Sequence, residues 1–388
     1  MNFFLADIQT GFGTFVAFYL AQLGWSKSDV GLALTAGTLA AVVSQIPGGA
    51  LADAVTWKRG LVALGILMIT AAALIFAFTP AYFAVFLAEV LHGTTGGIVT
   101  PAIGAISLGL VGRRAMSART GRNFRYAAAG HALTAALMGL AGAYLSDPAI
   151  FVAAALLGVP ALIALAFIRP GEIDYARARN ARKSERGHEV ERVLDFAKNH
   201  RLIAFTAALM LFQLADASML PLVGENLALA KFVDAPLWMS GLIVVPQIVV
   251  AVLAPWIGYH SEQRGRKPLL LVGFAIEPLR AGLLALTSAY PFLIAVQILD
   301  GINGAIISVL TVLVITDVTA GTGRFNLAQG VVGAMIGIAA SASTLATGFL
   351  FQGFGPFGGF LAISGVSVAA TAVLWIFVPE TKPADYGE

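Results

Sequence analysis

Ten residues between two long apolar runs carry the densest pattern in the chain: Gly258-Tyr-His-Ser-Glu262-Gln-Arg-Gly265-Arg266-Lys267. The glycines allow a tight turn. Glu262 would lie at the C-terminal end of the preceding helix, where the helix dipole disfavours a carboxylate by roughly 0.3–1 kcal/mol. An acid in this place needs a compensating partner, either a neighbouring basic side chain or the N-terminus of another helix.

The same pattern occurs about half a chain earlier. Gly49-Ala-Leu51-Ala-Asp53 also follows an apolar run, and Lys58 and Arg59 precede the next one. Asp53 occupies the place of the acid, and the two cations occupy the place of the basic pair. Two loops of this kind indicate that the chain consists of two related halves.

Composition sets the class of protein. The 388-residue chain is 58% apolar and 12% charged, with a mean hydropathy of +0.85, whereas a soluble globular protein is about 25% charged. A membrane span needs about 20 mainly apolar residues, so twelve spans with short loops would use about 32 residues each. We therefore predict an all-α, polytopic integral membrane protein.

The predicted spans are 1–23, 29–53, 60–79, 81–110, 120–145, 148–168, 202–224, 237–259, 267–288, 290–315, 326–352 and 356–378. Residues 1–23 lack a basic leader and a small-residue cleavage site, so we interpret them as a first span and not as a signal peptide. The predicted domains are an N-terminal six-helix bundle at 1–168, a linker at 169–201, and a C-terminal six-helix bundle with a short tail at 202–388.

The linker holds nine basic and six acidic residues. Val190, Val193, Leu194 and Ala197 follow the spacing of one helix face, which predicts a short amphipathic helix on the cytoplasmic surface. The alternative is a plain solvated linker.

Charge asymmetry predicts the topology. Of 24 Lys and Arg residues, 21 lie in or beside loops that are cytoplasmic if the N-terminus is inside; Lys27, Lys231 and Arg280 are the exceptions. The positive-inside rule therefore predicts both termini in the cytoplasm. We expect the membrane to be a bacterial inner membrane. The basic excess would face the anionic inner leaflet of the lipid bilayer, which explains the pI of 9.2 without nucleic acid.

An internal repeat relates the halves at an offset of 208 or 209 residues. The Leu-Ala-Asp sequence at 5–7 recurs at 214–216, and Pro47 recurs as Pro255. Thr79, Ala81, Tyr82, His92, Gly93 and Gly96 recur as Thr287, Ala289, Tyr290, Asp300, Gly301 and Gly304. A constant offset over four spans indicates homologous halves. Residue 1 corresponds to residue 210 although the seventh span starts near 202, so we expect either a start upstream of residue 1 or an unusually short first span.

Both loops resemble the signature of the major facilitator superfamily (MFS) of secondary transporters, roughly G-x-x-x-D-x-x-G-R-R/K between the second and third helices of each half. The second loop has Glu262 for the usual Asp, and the first has Ala54 and Thr56 where Arg and Gly are usual. The segment Pro379-Glu380-Thr381-Lys382 resembles a common ending after the last MFS span. The resemblance implies two pseudo-symmetric six-helix bundles around a central cavity, alternating access by rocking of the halves, and a monomer.

The resemblance to MFS transporters implies a partner for the loop acid, namely the N-terminus of a helix in the opposite half. It also implies that this contact is a conformational latch that favours the outward-facing state. The alternative is a basic loop that only sets topology. The latch residues are Gly49, Asp53, Lys58, Arg59, Gly258, Glu262, Gly265, Arg266 and Lys267.

Ionisable side chains inside spans are the candidates for proton and substrate binding, because each costs about 2.5–3.5 kcal/mol at mid-membrane on insertion scales. They are Asp7, Glu89, His92, His131, Asp216, Glu277, Arg280 and Asp300.

Two pairs of these residues are repeat mates: Asp7 with Asp216, and His92 with Asp300. The resemblance places the first and fourth helices of each half along the cavity. A desolvated carboxyl group there can gain and lose a proton, as a proton carrier must. The alternative is an acid that is hydrogen-bonded for packing only.

The other candidates are open to two interpretations each. Glu89 stands where an Arg is common in proton antiporters, one turn from His92, and we favour a proton relay or polar helix contact over a metal site. His131 either packs between helices or belongs to the proton and substrate site. Glu277 and Arg280 are three residues apart and can pair on one helix face, which favours a structural ion pair over substrate binding.

We therefore predict a proton-coupled secondary transporter of a small organic solute, without cofactor or metal, and with efflux favoured over uptake. The acid-rich candidates favour cationic or neutral substrates by complementarity. The alternative is a proton-coupled uptake symporter of a small organic anion or nutrient, with Arg280 as the counter-charge. An enzyme is not expected, because the chain has no H-E-x-x-H motif, Walker A loop or Cys nucleophile.

Overall fold

The computed structural model of the protein describes residues 1–10, 16, 19–20, 23–144, 147–181, 199–223, 235–286 and 289–384. Its helices are α1 (Asn2–Thr10), α2 (Lys27–Ala54), α3 (Lys58–Phe78), α4 (Tyr82–Val111), α5 (Met116–Tyr144), α6 (Asp147–Leu156), α7 (Gly158–Ala166), α8 (Tyr175–Ala178), α9 (His200–Asp216), α10 (Ala235–Arg264), α11 (Lys267–Leu286), α12 (Tyr290–Val318) and α13 (Phe325–Phe377). One 3-10 helix covers Pro170–Glu172.

The helices confirm the predicted all-α membrane class. Eight of them, within the described part of the chain, are long and apolar enough to cross a membrane. α2, α3, α4, α10, α11 and α12 match predicted spans to within a few residues. The predicted amphipathic helix over 190–197 lies outside the described residues.

Two breaks divide the helical stretches. The predicted span 148–168 is interrupted at Leu157, between α6 and α7, since Pro160 has no N–H to donate to the carbonyl of Leu156. α13 contains Gly355 with φ of 69°, a left-handed conformation that favours glycine. The predicted spans 326–352 and 356–378 lie on either side of Gly355.

The repeat found in the sequence recurs in the helix starts. These starts pair as Lys27 with Ala235, Lys58 with Lys267, Tyr82 with Tyr290 and Met116 with Phe325. Each pair keeps the offset of 208 or 209 residues. The two halves therefore build their second to fifth helices in the same order from equivalent positions.

Small residues bring α2 and α4 close together. A Cβ atom at Gly93 would overlap the carbonyl oxygen of Gly37, and one at Gly97 would overlap the side chain of Ser44. The repeat mates behave alike, because a Cβ at Gly301 of α12 would lie 2.7 Å from the carbonyl oxygen of Pro246 on α10. Small residues at helix contacts are the usual means by which membrane helices approach closely.

The chain forms two compact units. Unit 1 comprises Met1–Gly112, Tyr126–Val190 and Thr319–Ala334. Unit 2 comprises Arg113–Arg125, Glu191–Val318 and Met335–Glu388. The start of α5 thus belongs to unit 2 and the start of α13 belongs to unit 1, while the sequence-based division at 168 and 201 stays a prediction.

Each unit has its own apolar core. In unit 1, Phe76 and Phe151 stack with ring centroids 5.1 Å apart, and the Tyr19 hydroxyl donates to the carbonyl of Phe76 over 3.1 Å. In unit 2, buried side chains such as Met219 and Phe360 pack in one cluster.

Candidate functional site

Arg280 of α11 is the centre of an ionic cluster in unit 2. Its Nη1 atom lies 2.5 Å from Oδ1 of Asp216 and 2.8 Å from Oδ1 of Asp300. The same nitrogen lies 3.5 Å from Oε1 of Glu277. Arg280 is only 1% exposed, so three carboxyl groups from three helices meet one buried guanidinium.

The carboxyl groups of this cluster differ in exposure. The side chain of Glu277 is 0% exposed, whereas those of Asp216 and Asp300 are 27% and 25% exposed. Glu277 accepts a second hydrogen bond from the Nδ2 atom of Asn303 on α12. Glu277 therefore anchors Arg280 from the inside, and the two aspartates form the accessible side of the cluster.

The local sequence explains this arrangement. Glu277 and Arg280 are three residues apart, so they lie on one face of α11. Asp216 is the last residue of α9, where the helix dipole disfavours a carboxylate, and the guanidinium compensates this charge. With every carboxyl group ionised the cluster carries two excess negative charges, which a buried site must compensate with protons or a cation.

The remaining predicted candidates belong to unit 1. Glu89 of α4 is 3% exposed, and its Oε1 atom has no hydrogen-bond partner among the described residues. His92 of α4 and His131 of α5 are half-buried. Asp7 lies in α1, and its side chain is outside the described residues. The structure thus gathers three of the other candidates around Arg280, whereas Glu89, His92 and His131 lie in unit 1.

Asp53 of the first signature loop binds the start of α13. Its Oδ1 accepts from the backbone N–H of Asn326 over 3.2 Å and from the side-chain Nδ2 of Asn326 over 2.8 Å. Its Oδ2 accepts from the backbone N–H of Leu327 over 2.8 Å. These contacts place a carboxylate at the positive end of a helix dipole, although Asp53 lies 273 residues before Asn326 in the chain.

Glu262 of the second loop makes the equivalent contact at the start of α5. Its Oε1 accepts a hydrogen bond from the hydroxyl of Ser117 and one from Nη2 of Arg266 over 2.8 Å. Arg266 is 1% exposed and also donates from Nε to Asp317 over 3.1 Å. The second loop is therefore held by two carboxylates that share one buried guanidinium.

The other loop residues support these contacts. Lys58 is 1% exposed, and its Nζ donates to the carbonyls of Ala52 and Val55 at the C-terminal end of α2. Arg59 donates to the carbonyl of Ala166 over 3.3 Å, and Lys267 donates from Nζ to the carbonyl of Trp375 over 2.7 Å.

The loop glycines meet specific requirements of the backbone. A Cβ at Gly49 would overlap the carbonyl oxygen of Asn326, and one at Gly258 would lie 2.5 Å from the carbonyl oxygen of Ser117. Gly265 has φ of 89°, where its Cβ would also crowd Glu380. The two signature glycines that precede the acids are thus required for close approach rather than for the turn.

Sequence reasoning missed several partners of these groups. Ser117 and Asn326 are repeat mates at an offset of 209, so the repeat itself could have paired each with a loop acid. Asn303 and Asp317 gave no such signal, because the offset pairs them with Thr95 and Gly109 or their neighbours. Glu380, which accepts from the backbone N–H groups of Arg266 and Lys267, lies in the quoted C-terminal segment.

Comparisons with known proteins agree with this structure. The sequence profile of the Major Facilitator Superfamily matches residues 1–276 and 242–387. An uncharacterized MFS-type transporter of Mycobacterium tuberculosis is 34% identical over 388 residues, which cover 99% of this chain and 93% of the relative. The class B tetracycline resistance protein of Escherichia coli is 30% identical over 141 residues, or 36% of this chain and 34% of the relative.

The fold has a counterpart among solved structures. The crystal structure of the nucleoside transporter NupG superposes with a TM-score of 0.65 and 16% identity, covering 97% of this chain and 96% of that protein. At this identity the likeness concerns the fold alone. The whole-chain profile match, the close relative and the paired signature loops together show that this chain belongs to the Major Facilitator Superfamily and is a membrane transporter, not an enzyme.

Proposed function

We propose that the protein is a proton-coupled transporter that exchanges protons for a small organic cation or neutral solute, with export favoured over uptake. The observation that carries this proposal is the cluster of three carboxyl groups around the single guanidinium of Arg280. A site with more acids than bases holds either protons or a cation, and this is the requirement for exchange.

The exposures of the acids suggest which groups exchange their ligand. Asp216 and Asp300 are about one quarter exposed, whereas Glu277 is fully buried. When an organic cation binds, the protons leave Asp216 and Asp300 and their carboxylates neutralise the positive charge. When the cation departs, protons return to the same carboxylates. Glu277 and Asn303 keep Arg280 in place throughout.

Two observations bear on the direction of transport. The local similarity to a tetracycline resistance protein favours export, because removal of a compound from the cell is one route to resistance. Uptake of an anion is disfavoured by the geometry of Arg280, whose charge is already outnumbered by its three carboxyl partners.

We further propose that Asp53 and Glu262 act as paired latches. Each acid binds the start of a helix from the other half of the sequence. Breaking both contacts would free α5 and α13 at their first turns, as alternating access requires. In this proposal the protein works as a monomer in the bacterial inner membrane, with both termini in the cytoplasm, as the distribution of Lys and Arg supports.

A thermal-shift screen of the purified protein tests the exchange site. The panel contains cationic, anionic and neutral organic solutes at acidic and alkaline pH, since a ligand of the folded state raises apparent stability. We expect cations to stabilise the protein more at alkaline pH, where they no longer compete with protons, and the effect to disappear in Asp216→Asn. Stabilisation by anions, stronger at acidic pH and lost in Arg280→Gln, would overturn this proposal in favour of anion uptake.

A further inference from the structure

Glu89 is a buried acid with no visible compensation. Its carboxyl group packs against Gly37 of α2, so closely that a Cβ atom at Gly37 would overlap its Oε2 atom. The residue is 3% exposed, and Oε1 has no hydrogen-bond partner among the described residues. An ionised carboxylate in such a place would be a buried, unpaired charge, which proteins avoid.

The repeat mate of Glu89 is a neutral side chain that donates a hydrogen bond. At an offset of 208 residues α12 carries Gln297, which is 4% exposed. Its Nε2 donates to the carbonyl of Leu242 on α10 over 3.1 Å. The residue four positions after Leu242 is Pro246, which has no N–H. Gln297 therefore satisfies a carbonyl that its own helix leaves without a donor.

Unit 1 has different residues at the places of Gln297 and Pro246. Gly37 stands at the place of Pro246, at an offset of 209, and glycine retains its N–H for the helical hydrogen bond. Gly37 also removes a side chain and so makes room for a carboxyl group. The protonated form of Glu89 has nearly the shape of Gln297 and, like it, a polar donor at its tip. The neutral acid therefore suits this buried place better than the ionised form, for which the described residues supply no hydrogen-bond donor at Oε1.

Among the described residues, the helices beside Glu89 place no charge that compensates it. The neighbouring helices α2 and α3 carry ionisable residues only in their first or last turns. These residues are Lys27, Asp29, Asp53, Lys58 and Arg59. Along α4 itself the nearest ionisable residue is His92, one turn further on.

We propose that Glu89 is a second proton-binding site of the transport cycle, located in unit 1 and separate from the Arg280 cluster. The carboxyl group holds its proton while Gly37 packs against it, and it releases the proton to water when the contact between α2 and α4 loosens. This proposal rests on the proposed proton coupling, to which it adds a proton that no substrate displaces directly.

Infrared difference spectroscopy of the purified protein tests this site without any substrate. We expect wild-type protein at neutral pH to show the carbonyl-stretch band of a protonated carboxylic acid that Glu89→Gln lacks. The band should disappear reversibly at alkaline pH. Glu89→Gln copies the side chain of the repeat mate, so we expect its thermal unfolding to match that of the wild type, which separates the loss of a proton site from misfolding.

Two results would overturn the proposal. If the wild-type and Glu89→Gln spectra are identical at neutral pH, Glu89 is ionised; if the band persists at every pH, Glu89 is a permanent structural acid. The matched variant Gln297→Glu should add a protonated-acid band of its own, because the neutral acid can donate to the Leu242 carbonyl. Absence of that band would contradict the argument from the repeat.

The two proposals fail in different ways. Loss of the pH dependence in the cation thermal-shift screen, with the Glu89 band intact, would remove proton exchange at Asp216 and leave Glu89 as a proton site. A pH-dependent cation shift without a Glu89 band would remove Glu89 as a proton site and leave proton exchange at Asp216.

Discussion

The third helix of each half shows how far two copies of one fold can diverge. α11 carries Glu277 and Arg280, both buried in the ionic cluster. At an offset of 208 residues, α3 carries Ile69 and Ala72, both 0% exposed in an apolar core. The helix starts and the glycine contacts are shared, but the charges are not. The two halves thus share their backbone arrangement but differ in the charged side chains that they carry.

This difference suits the two units to different kinds of ligand. Unit 2 holds several acids balanced against one base, a combination suited to exchange of protons for a charged ligand. Unit 1 holds Glu89, an acid without a described hydrogen-bond partner at Oε1, a combination suited to a proton alone. Substitutions that add or remove charge should therefore have unequal effects at equivalent positions of the two halves.

The largest expected effect follows removal of the base. Arg280→Gln leaves the buried Glu277 and the two aspartates close together without a base, and we expect it to lower the free energy of unfolding by about 3–5 kcal/mol and to abolish transport. Thermal unfolding in detergent measures the first effect, and solute flux in proteoliposomes measures the second. The control is Arg169→Gln. The Arg169 side chain is 83% exposed, and its Nη1 atom lies 4.0 Å from Oε1 of Glu172, so we expect its loss to change the free energy of unfolding by no more than about 0.5 kcal/mol. Equal stability of both variants would show that the cluster does not depend on its guanidinium.

The next effect concerns the space beside Glu89. Gly37→Ala places a methyl group against Oε2 of Glu89, and overpacking of this kind costs about 1–3 kcal/mol. Gly31→Ala on the same helix meets nothing within 4 Å and should be neutral or slightly stabilising. Combining Gly37→Ala with Glu89→Ala should recover part of the loss. If Gly31→Ala and Gly37→Ala unfold at the same temperature, the contact between Gly37 and Glu89 is not tight.

The two latches should also differ in strength. Asp53 accepts three hydrogen bonds at the start of α13, whereas Glu262 shares its carboxylate between Ser117 and Arg266. A helix cap contributes about 1 kcal/mol, so we expect Asp53→Asn to slow turnover about fivefold and Glu262→Gln to slow it less. Initial rates over a range of solute concentrations measure turnover and affinity separately. A large loss of affinity with normal turnover would argue against a latch.

The smallest effect tests the explanation of Gln297. Gln297→Leu removes the donor to the Leu242 carbonyl, and a side-chain hydrogen bond between membrane helices contributes about 0.6 kcal/mol. Pro246→Ala would restore the backbone N–H and should suppress this loss in the double variant. Thermal unfolding of the four proteins of this double-mutant cycle gives the coupling energy. Additive effects would mean that Pro246 does not create the need for Gln297.

Much of the fold could be predicted because it depends on local patterns. Apolar runs set most of the spans, and the signature loops marked the turns after α2 and α10. The break at Leu157 was missed because hydropathy is insensitive to one absent N–H at Pro160. The predicted span ended at residue 259 although α10 continues to Arg264, since the last turn of this helix is polar and lies beyond the apolar run.

The candidate site was harder to predict, because it depends on which side chains meet across helices. Glu277 and Arg280 were paired correctly by their spacing along one helix, but no pattern along the chain brings Asp216 and Asp300 to the same nitrogen. Asn303 was overlooked because it is uncharged. The preference for a structural ion pair over substrate binding in α11 rested on spacing along that helix, which reports neighbours on one helix and not those on the next.

The contact between Asp53 and Asn326 has a consequence for biosynthesis. Asp53 leaves the ribosome 273 residues ahead of its donor, a delay of roughly 14–55 s at about 5–20 residues per second. Glu262 emerges after Ser117, 145 residues later in the chain, and finds its donor already made. The N-terminal half must therefore be inserted while the Asp53 carboxylate still lacks its donors, and this contact can form only after the first turn of α13 has been made.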